Sequence, residues 1–177
     1  MLMLDAKSST LLVIDFQARL TPAIDGGGEA IANAQRLVRG AELLDAPTLY
    51  TEQYPKGLGH MVPELTPPPE RLIEKTTFDS TRAPGFLERL PADHTLVVTG
   101  CEAHICVLQT VLGLIDAGRR VYVVADAVGS RKAQSKRVAL RRMAQAGATI
   151  VTTEMVLFEW VGDARHPRFK EISALVK

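Results

Sequence analysis

The stretch that decides the fold is Thr95-Leu96-Val97-Val98-Thr99 followed by Gly100-Cys101-Glu102-Ala103-His104-Ile105-Cys106-Val107. Its first five residues are a short apolar run rich in β-branched side chains, which predicts a strand buried on both faces. The residues after it predict a turn and the beginning of a helix, with Cys106 in the first helical turn. Free N–H groups and the positive end of the helix dipole favour a thiolate there and can also receive an oxyanion. Cys106 is therefore a candidate nucleophile.

Five other apolar runs resemble this strand, at 10–15, 47–51, 71–75, 121–126 and 148–152. Between the runs, apolar residues recur at helical spacing, most clearly in 31–44, 105–115 and 139–144. Strands that alternate with helices in this way predict a three-layer α/β/α, Rossmann-like fold with an open, parallel, six-stranded sheet. The 177 residues are enough for one domain, 1–177.

Composition and charge argue against several classes of protein. The net charge of +1 provides no long-range field that would gather nucleic acid or anionic lipid. The basic residues within 131–142 lack interleaved aromatic residues and are interpreted as a solvated helix face. Charges at Asp5 and Lys7 come too early for a signal peptide, and no run reaches the ~18 apolar residues of a membrane helix. We expect a soluble, cytoplasmic protein whose partner is a small molecule or a second copy of itself.

Three reactive side chains fall at the ends of predicted strands. Asp15 closes the first strand, Lys75 closes the third and Cys106 lies just past the fourth. The carboxyl ends of parallel strands share one rim, where ligands bind in such sheets. A carboxylate can take the proton of a thiol, and a lysine can hold that carboxylate and stabilise developing negative charge. Alone, each residue also fits a structural role, as a packed thiol, a turn cap and a solvated strand end. Their combination favours catalysis.

These residues resemble those of the isochorismatase-like cysteine hydrolases, a family that includes nicotinamidases and related amidohydrolases. The resemblance covers about residues 8–176 and is carried by 12–17, 74–78 and 100–110, in the family's order and spacing. Segments 51–57, 125–131 and 154–160 resemble the subgroup named after the isochorismatase domain.

The resemblance implies a site. Asp15, Lys75 and Cys106 match the family's catalytic triad. The peptide bond between Cys101 and Glu102 would be cis, and the N–H groups of Glu102 and Cys106 would form an oxyanion hole. Hydrolysis of isochorismate protonates a vinyl ether and needs no cysteine nucleophile, so Cys106 favours acyl transfer. The resemblance also implies a homo-oligomer, dimer or higher.

Binding residues are expected near the strand ends. Nicotinamidases carry an aspartate and histidines after the second strand that bind a metal, whereas this chain has Glu52, Gln53 and Tyr54 there, with His60 as the one histidine in the following loop. We therefore expect no metal and no cofactor. Residues that follow strand ends are candidates to line the substrate pocket or to pack in the core: Phe16, Gln17, Gln53, Tyr54 and Phe78.

Some features favour structural roles. His104 is two residues from the candidate thiol, and positions two apart point in different directions on a helix, so a capping or interface role is expected. Cys101 is expected to pack beneath the nucleophile, an oxidised pair with Cys106 being the alternative. Segment 25–28 lacks the third glycine of a dinucleotide-binding loop and predicts a turn into a helix. The apolar residues of 155–160 indicate core closure or, preferentially, self-association.

The expected function is hydrolysis of an amide or carbamoyl C–N bond through a thioester. Two alternatives stay open. One is an isochorismatase-type hydrolase that acts on a vinyl ether without a cysteine nucleophile. The other is a non-enzymatic member of the fold, in which Cys106 senses oxidants or the surface docks a partner.

Overall fold

The structure is a computed structural model that describes residues 3–177. Its sheet consists of β1 Ser9–Ile14, β2 Thr48–Gln53, β3 Leu72–Lys75, β4 Thr95–Cys101, β5 Val121–Gly129 and β6 Thr149–Val151. The strands lie in the order β3-β2-β1-β4-β5-β6, and all neighbouring pairs are parallel. The predicted six-stranded parallel sheet is confirmed. Residues 1 and 2 of the predicted domain lie outside the described part.

Helices cover both faces of the sheet. They are α1 Gly27–Leu43, α2 Pro55–Leu58, α3 Leu108–Asp116, α4 Ala133–Gln145, α5 Thr153–Val161 and α6 Phe169–Ala174, with a π-helical turn, Ala103–Val107, before α3. Because successive strand residues point to opposite faces, β1 divides its side chains between two cores. Leu11 and Val13 pack with α1, α5 and α6, whereas Leu12 and Ile14 pack with α3 and α4. This confirms the predicted three layers.

The chain enters and leaves its main helices as the sequence indicates. Gly26 precedes α1 with a φ of 67°, a left-handed conformation that glycine adopts without steric cost. The predicted turn in 25–28 therefore leads into α1. At the other end of the chain, Val156, Leu157 and Trp160 are buried in the core of their own chain. Most of the apolar stretch in α5 thus closes the core, and it leaves Met155 partly exposed.

The strand order places the candidate site. It runs outward from β1 toward β3 on one side and from β4 toward β6 on the other, so the topology reverses between β1 and β4. A crevice outside the carboxyl ends of two such strands is where open α/β sheets bind ligands. Asp15 directly follows β1, and Cys106 follows β4. No helix within residues 3–177 has both the length and the hydrophobicity to cross a bilayer.

Candidate active site

A buried ion pair joins the first and third strand ends. The Lys75 Nζ donates to Asp15 Oδ2 at 2.7 Å, and neither side chain is exposed. The same ammonium donates to Gln53 Oε1 at 2.8 Å. Burying two charges is costly unless they are paired and hydrogen-bonded, and here both conditions hold. The Gln53 amide therefore serves as a polar partner that fixes where the ammonium lies.

Asp15 lies at a sharp change of chain direction. Its φ of 52° is left-handed, a conformation in which aspartate is enriched among non-glycine residues. Its other carboxylate oxygen, Oδ1, accepts a hydrogen bond of 2.6 Å from Thr51 Oγ1. The Cys106 side chain also interacts with this carboxylate and lowers the pKa of Asp15. The structure thus brings Asp15, Lys75 and Cys106 together around one carboxylate, although they are far apart in sequence.

The surroundings of Cys106 disfavour ionisation of its thiol. Burial and the neighbouring Asp15 carboxylate raise its pKa well above the ordinary value of 9.0, and Lys75 lowers it only in part. The expectation that the helix start would favour the thiolate is therefore wrong for the resting site. Only 6% of the residue is exposed, so burial dominates. Such a thiol needs a base that takes its proton during the reaction.

The carboxyl group of Asp15 is also shifted. Burial raises its pKa above the ordinary value of 3.8, and this is opposed by the charge and hydrogen bond of Lys75 and by the Thr51 and Cys106 hydrogen bonds. A carboxylate with a raised pKa is a stronger base than one in water. It also interacts with Cys106, the group whose proton would have to be removed.

The backbone before Cys106 has an irregular geometry. The peptide bond between Cys101 and Glu102 is cis. The Glu102 carbonyl accepts hydrogen bonds from the N–H groups of Ile105 at 3.0 Å and Val107 at 3.2 Å. The second bond spans five residues and defines the π-helical turn. The N–H of Cys106, which lies between these two donors in sequence, is at the start of this helix.

The Glu102 side chain anchors this turn to the loop after β5. Its carboxylate accepts hydrogen bonds from the backbone N–H of Arg131 at 3.0 Å and from its Nε at 3.1 Å. The Nδ1 of His104 lies 3.0 Å from Ser130 Oγ on the same loop. His104 is therefore part of a structural contact with this loop, in line with the expected capping or interface role.

Three of the five predicted binding residues have structural contacts. Phe16 is fully buried in the core. The Gln17 amide donates to the carbonyls of Gln53 and Gly59 and accepts from the Gln53 N–H, so its polar atoms are committed to backbone. The Gln53 amide contacts Lys75 and donates to the Thr76 carbonyl at 2.7 Å. These three side chains therefore support the structure around the site through packing and hydrogen bonds.

Tyr54 and Phe78 lie at the surface, 54% and 51% exposed. Tyr54 borders a cavity of about 390 Å³ beside Lys75, and Phe78 borders another of about 390 Å³ along α3. Asp15 and Cys106 line neither cavity. The surface position makes both aromatic residues available to a ligand, while the nucleophile itself is nearly enclosed.

The sequence did not indicate several supporting residues. Thr51, Thr110 and Ser80 are buried hydroxyl residues around the site. For Thr110, the sequence contains one signal, its spacing from Cys106. Thr110 comes four residues after Cys106, which places it on the same side of a helix.

The region after β2 has its own polar pair. The buried Glu52 carboxylate accepts from the backbone N–H of Met61, and the exposed His60 places its Nδ1 3.0 Å from that carboxylate. Within residues 3–177, no three His, Cys, Asp or Glu side chains are arranged to hold a metal ion.

Cys101 is a free thiol, and burial raises its pKa to about 12.

The fold and this polar cluster define a class. A family model described as the isochorismatase domain matches residues 9–155. The chain therefore belongs to the isochorismatase domain family, and the resemblance found in its sequence is confirmed.

Known proteins agree with this assignment. The chain is 42% identical over 166 residues to isochorismatase domain-containing protein 1 of Salmo salar, covering 92% of this chain and 59% of that protein. It thus spans about three fifths of that relative's length. The structure of MAR1 ribonuclease from Caenorhabditis elegans is 38% identical, with a TM-score of 0.91, and 98% of this chain and 92% of that chain are covered.

A second solved structure is the YcaC gene product of Escherichia coli, described as an octameric hydrolase of unknown specificity. It has a TM-score of 0.86 and 25% identity, and 99% of this chain and 89% of that chain are covered. The fold predicted from the sequence, that of the isochorismatase-like hydrolases, is confirmed.

Proposed function

We propose that the chain is a cysteine hydrolase that cleaves the C–N bond of a small amide or carbamoyl compound through a thioester intermediate. In this proposal Cys106 is the nucleophile, Asp15 the general base and acid, and Lys75 the cation that holds the Asp15 carboxylate. One observation carries it: the buried Asp15 carboxylate is paired with the buried Lys75 ammonium at 2.7 Å, and the Cys106 thiol interacts with the same carboxylate. A packed structural thiol has no need of this arrangement.

The first half of the reaction forms the thioester. Asp15 takes the thiol proton as the Cys106 sulfur attacks the acyl carbon, which turns the carbonyl oxygen into an oxyanion. When the oxyanion collapses, the C–N bond breaks and the proton on Asp15 passes to the departing nitrogen. Because burial raises the pKa of Asp15, the carboxyl group can hold this proton between the two events.

The second half releases the acid. Asp15, again a carboxylate, removes a proton from water as the water oxygen attacks the thioester carbon. The C–S bond breaks, and the Cys106 sulfur recovers a proton from Asp15. Lys75 remains an ammonium throughout and offsets the negative charge on the carboxylate and the sulfur.

The oxyanion is assigned to the N–H groups of Glu102 and Cys106. Support comes from the backbone around them. The Glu102 carbonyl bonds to Ile105 and Val107, and the Glu102 carboxylate is held by Arg131, so the turn that carries both N–H groups is fixed on two sides. Donors that are fixed before the reaction stabilise a developing charge without reorganising.

The partners belong to the same proposal. We infer a small-molecule substrate, no cofactor or metal, a cytoplasmic location and a homo-oligomer without nucleic-acid or membrane partners. Self-association is supported by the octamer described for the Escherichia coli neighbour and by the exposed Met155 and Phe158 on α5. The ribonuclease name belongs to the Caenorhabditis elegans protein, so RNA is included as a competing substrate in the test.

The test is hydrolysis by the wild type and by Cys106→Ala and Asp15→Asn variants. The compounds are small amides, N-carbamoyl compounds, isochorismate and a single-stranded RNA. We expect turnover of an amide or carbamoyl compound, with loss of at least about a thousandfold in either variant because nucleophile and base act as a unit. Trapping a thioester on Cys106 by mass spectrometry would support the intermediate directly.

Other outcomes would favour another function. Turnover of isochorismate that survives in Cys106→Ala would indicate a vinyl-ether hydrolase. RNA cleavage that needs Cys106 would replace the amide with a different substrate class. No turnover of any compound, together with reversible oxidation of Cys106, would favour the non-enzymatic alternative.

A further inference from the structure

The segment 76–86 follows Lys75 and is attached to the helix that continues from the nucleophile. The N–H of Ser80 donates to Thr110 Oγ1 at 3.0 Å, and that hydroxyl donates to Ser80 Oγ at 3.0 Å. Both residues are fully buried. One hydroxyl of α3 thus satisfies both a backbone and a side-chain group of the segment. We name this pair the Thr110–Ser80 clamp.

Gly113, one turn further along α3, has no side chain, and this leaves space for the segment. A Cβ atom added to Gly113 would lie 2.6 Å from Thr81 Oγ1 and 2.7 Å from Asp79 Oδ2, closer than real Cβ atoms approach. The two side chains are hydrogen-bonded to each other, Thr81 Oγ1 donating to Asp79 Oδ1 at 2.7 Å. Thr110 and Gly113 are three residues apart in α3, a spacing that places them on one side of this helix, and Cys106 lies in the π-helical turn directly before it. Both attachment points therefore lie on one side of the helix that continues from the nucleophile.

The segment also contributes to the hydrophobic core that contains the thiol. Ala83 and Phe86 belong to the same buried cluster as Cys106. Thr77 and Arg82 line both cavities, the one beside Lys75 and the one along α3. The segment is therefore a wall between the two cavities that begins after Lys75 and ends in the core cluster to which Cys106 also belongs.

We propose that Thr110, Ser80 and Gly113 are positioning residues that hold this wall against α3 and keep Cys106 closed from water beside Asp15. This inference rests on the proposed function for its catalytic meaning. Lys75 and Cys106 meet at the Asp15 carboxylate, and the clamp joins the chain that follows Lys75 to the helix that follows Cys106. The clamp is a second link between the two halves of the site.

The test uses the rate at which iodoacetamide alkylates each cysteine. A buried thiol is alkylated only when the structure opens locally, so its rate reports how often the wall leaves α3. Thr110→Val keeps the shape of the side chain but leaves the buried Ser80 N–H without its partner, and we expect Cys106 alkylation to rise about tenfold or more. Gly113→Ala displaces Thr81 and Asp79, and we expect a rise of the same order.

Two controls separate the clamp from general destabilisation. Thr110→Ser keeps the hydroxyl and should leave Cys106 alkylation within about twofold of the wild type. Cys101 is fully buried five residues before Cys106 and is a free thiol on β4, so it reports opening of the sheet itself. Peptide mapping by mass spectrometry distinguishes the two cysteines, and the Cys101 rate should stay unchanged in all variants.

The proposal is overturned if Thr110→Val and Gly113→Ala leave the Cys106 rate unchanged, or if Cys101 alkylation rises in step with it. The proposed function is tested separately by amide turnover. If the wild type hydrolyses no compound of the panel, the function fails and the alkylation rates still decide the clamp. If turnover requires Cys106 but both clamp variants keep wild-type kcat and alkylation rates, the clamp fails and the function stands.

Discussion

Two side chains hydrogen-bond to the carboxylate of Asp15, a third interacts with it, and each of the three changes its basicity. Lys75 and Thr51 donate to different oxygens, at 2.7 and 2.6 Å, and Cys106 adds a third contact. All three lower the pKa of Asp15, while burial raises it above 3.8 and has the largest effect. Burial therefore makes this carboxylate a stronger base than a solvated one, while its three partners oppose that increase. Removing a single donor should shift this balance measurably.

Thr51→Val tests this balance. Only the ionised form of Asp15 can act as a base, so turnover should rise as pH increases through the pKa of Asp15 and be lost below it. Because the Thr51 hydroxyl lowers that pKa, its removal should move the acid limb of the profile to higher pH. The measurement is kcat/KM against pH with an amide substrate, and Thr51→Ser, which keeps the donor, should retain the wild-type limb. An unmoved limb in Thr51→Val would mean that another group controls it.

The predicted and the missed residues differ in what determines their position. Asp15 and Lys75 were found because a strand end is visible in sequence and parallel strands share a rim. The contacts of Thr51 and Gln53 were not predicted. They depend on the strand order, which places β2 beside both β1 and β3. The pKa of Cys106 was predicted in the wrong direction, since its helix start was visible in sequence but its burial was not.

At the scale of elements, periodicity predicted the six strands and the helices α1, α3 and α4. It did not predict α5 as a helix, because apolar residues occupy almost every position of 155–160 and leave no polar side to reveal the period. The packing of α5 against α1 explains this apolar composition. Leu157 of α5 lies against Gly40 of α1, where an added Cβ would be 2.2 Å from its Cδ2 atom. The absence of a side chain at Gly40 lets the two helices approach.

Gly40→Ala tests this close approach, with Gly28→Ala as a matched change in the same helix. Alanine favours helix by up to about 1 kcal/mol at either position. At Gly40 the clash with buried Leu157 should outweigh this gain and lower the free energy of unfolding by about 1–3 kcal/mol. At Gly28, exposed with open space around it, we expect no loss or a small gain. Urea unfolding of both variants measures the difference, and equal effects would contradict the packing argument.

At the scale of the whole molecule, buried groups that lose a proton at high pH link the fold to its environment. Burial raises the pKa of Tyr50 from 10.0 to about 12 and that of Cys101 from 9.0 to about 12. The pKa of Cys106 is raised as well. In the unfolded chain these groups ionise near their ordinary values, whereas in the folded chain they hold their protons to higher pH. Each therefore stabilises the fold at neutral pH relative to alkaline solution.

The free energy of unfolding should thus fall as pH rises above about 9, because the folded state then binds more protons than the unfolded state. Each group that is ionised only in the unfolded chain contributes a slope of about 1.4 kcal/mol per pH unit, and the loss is complete once the folded pKa is passed. Urea unfolding between about pH 8 and about pH 11 measures the slope. Cys101→Ala removes one of these groups and should make the slope shallower, whatever its effect on stability at neutral pH. A slope that is the same in the variant would show that Cys101 ionises alike in both states, which contradicts its complete burial.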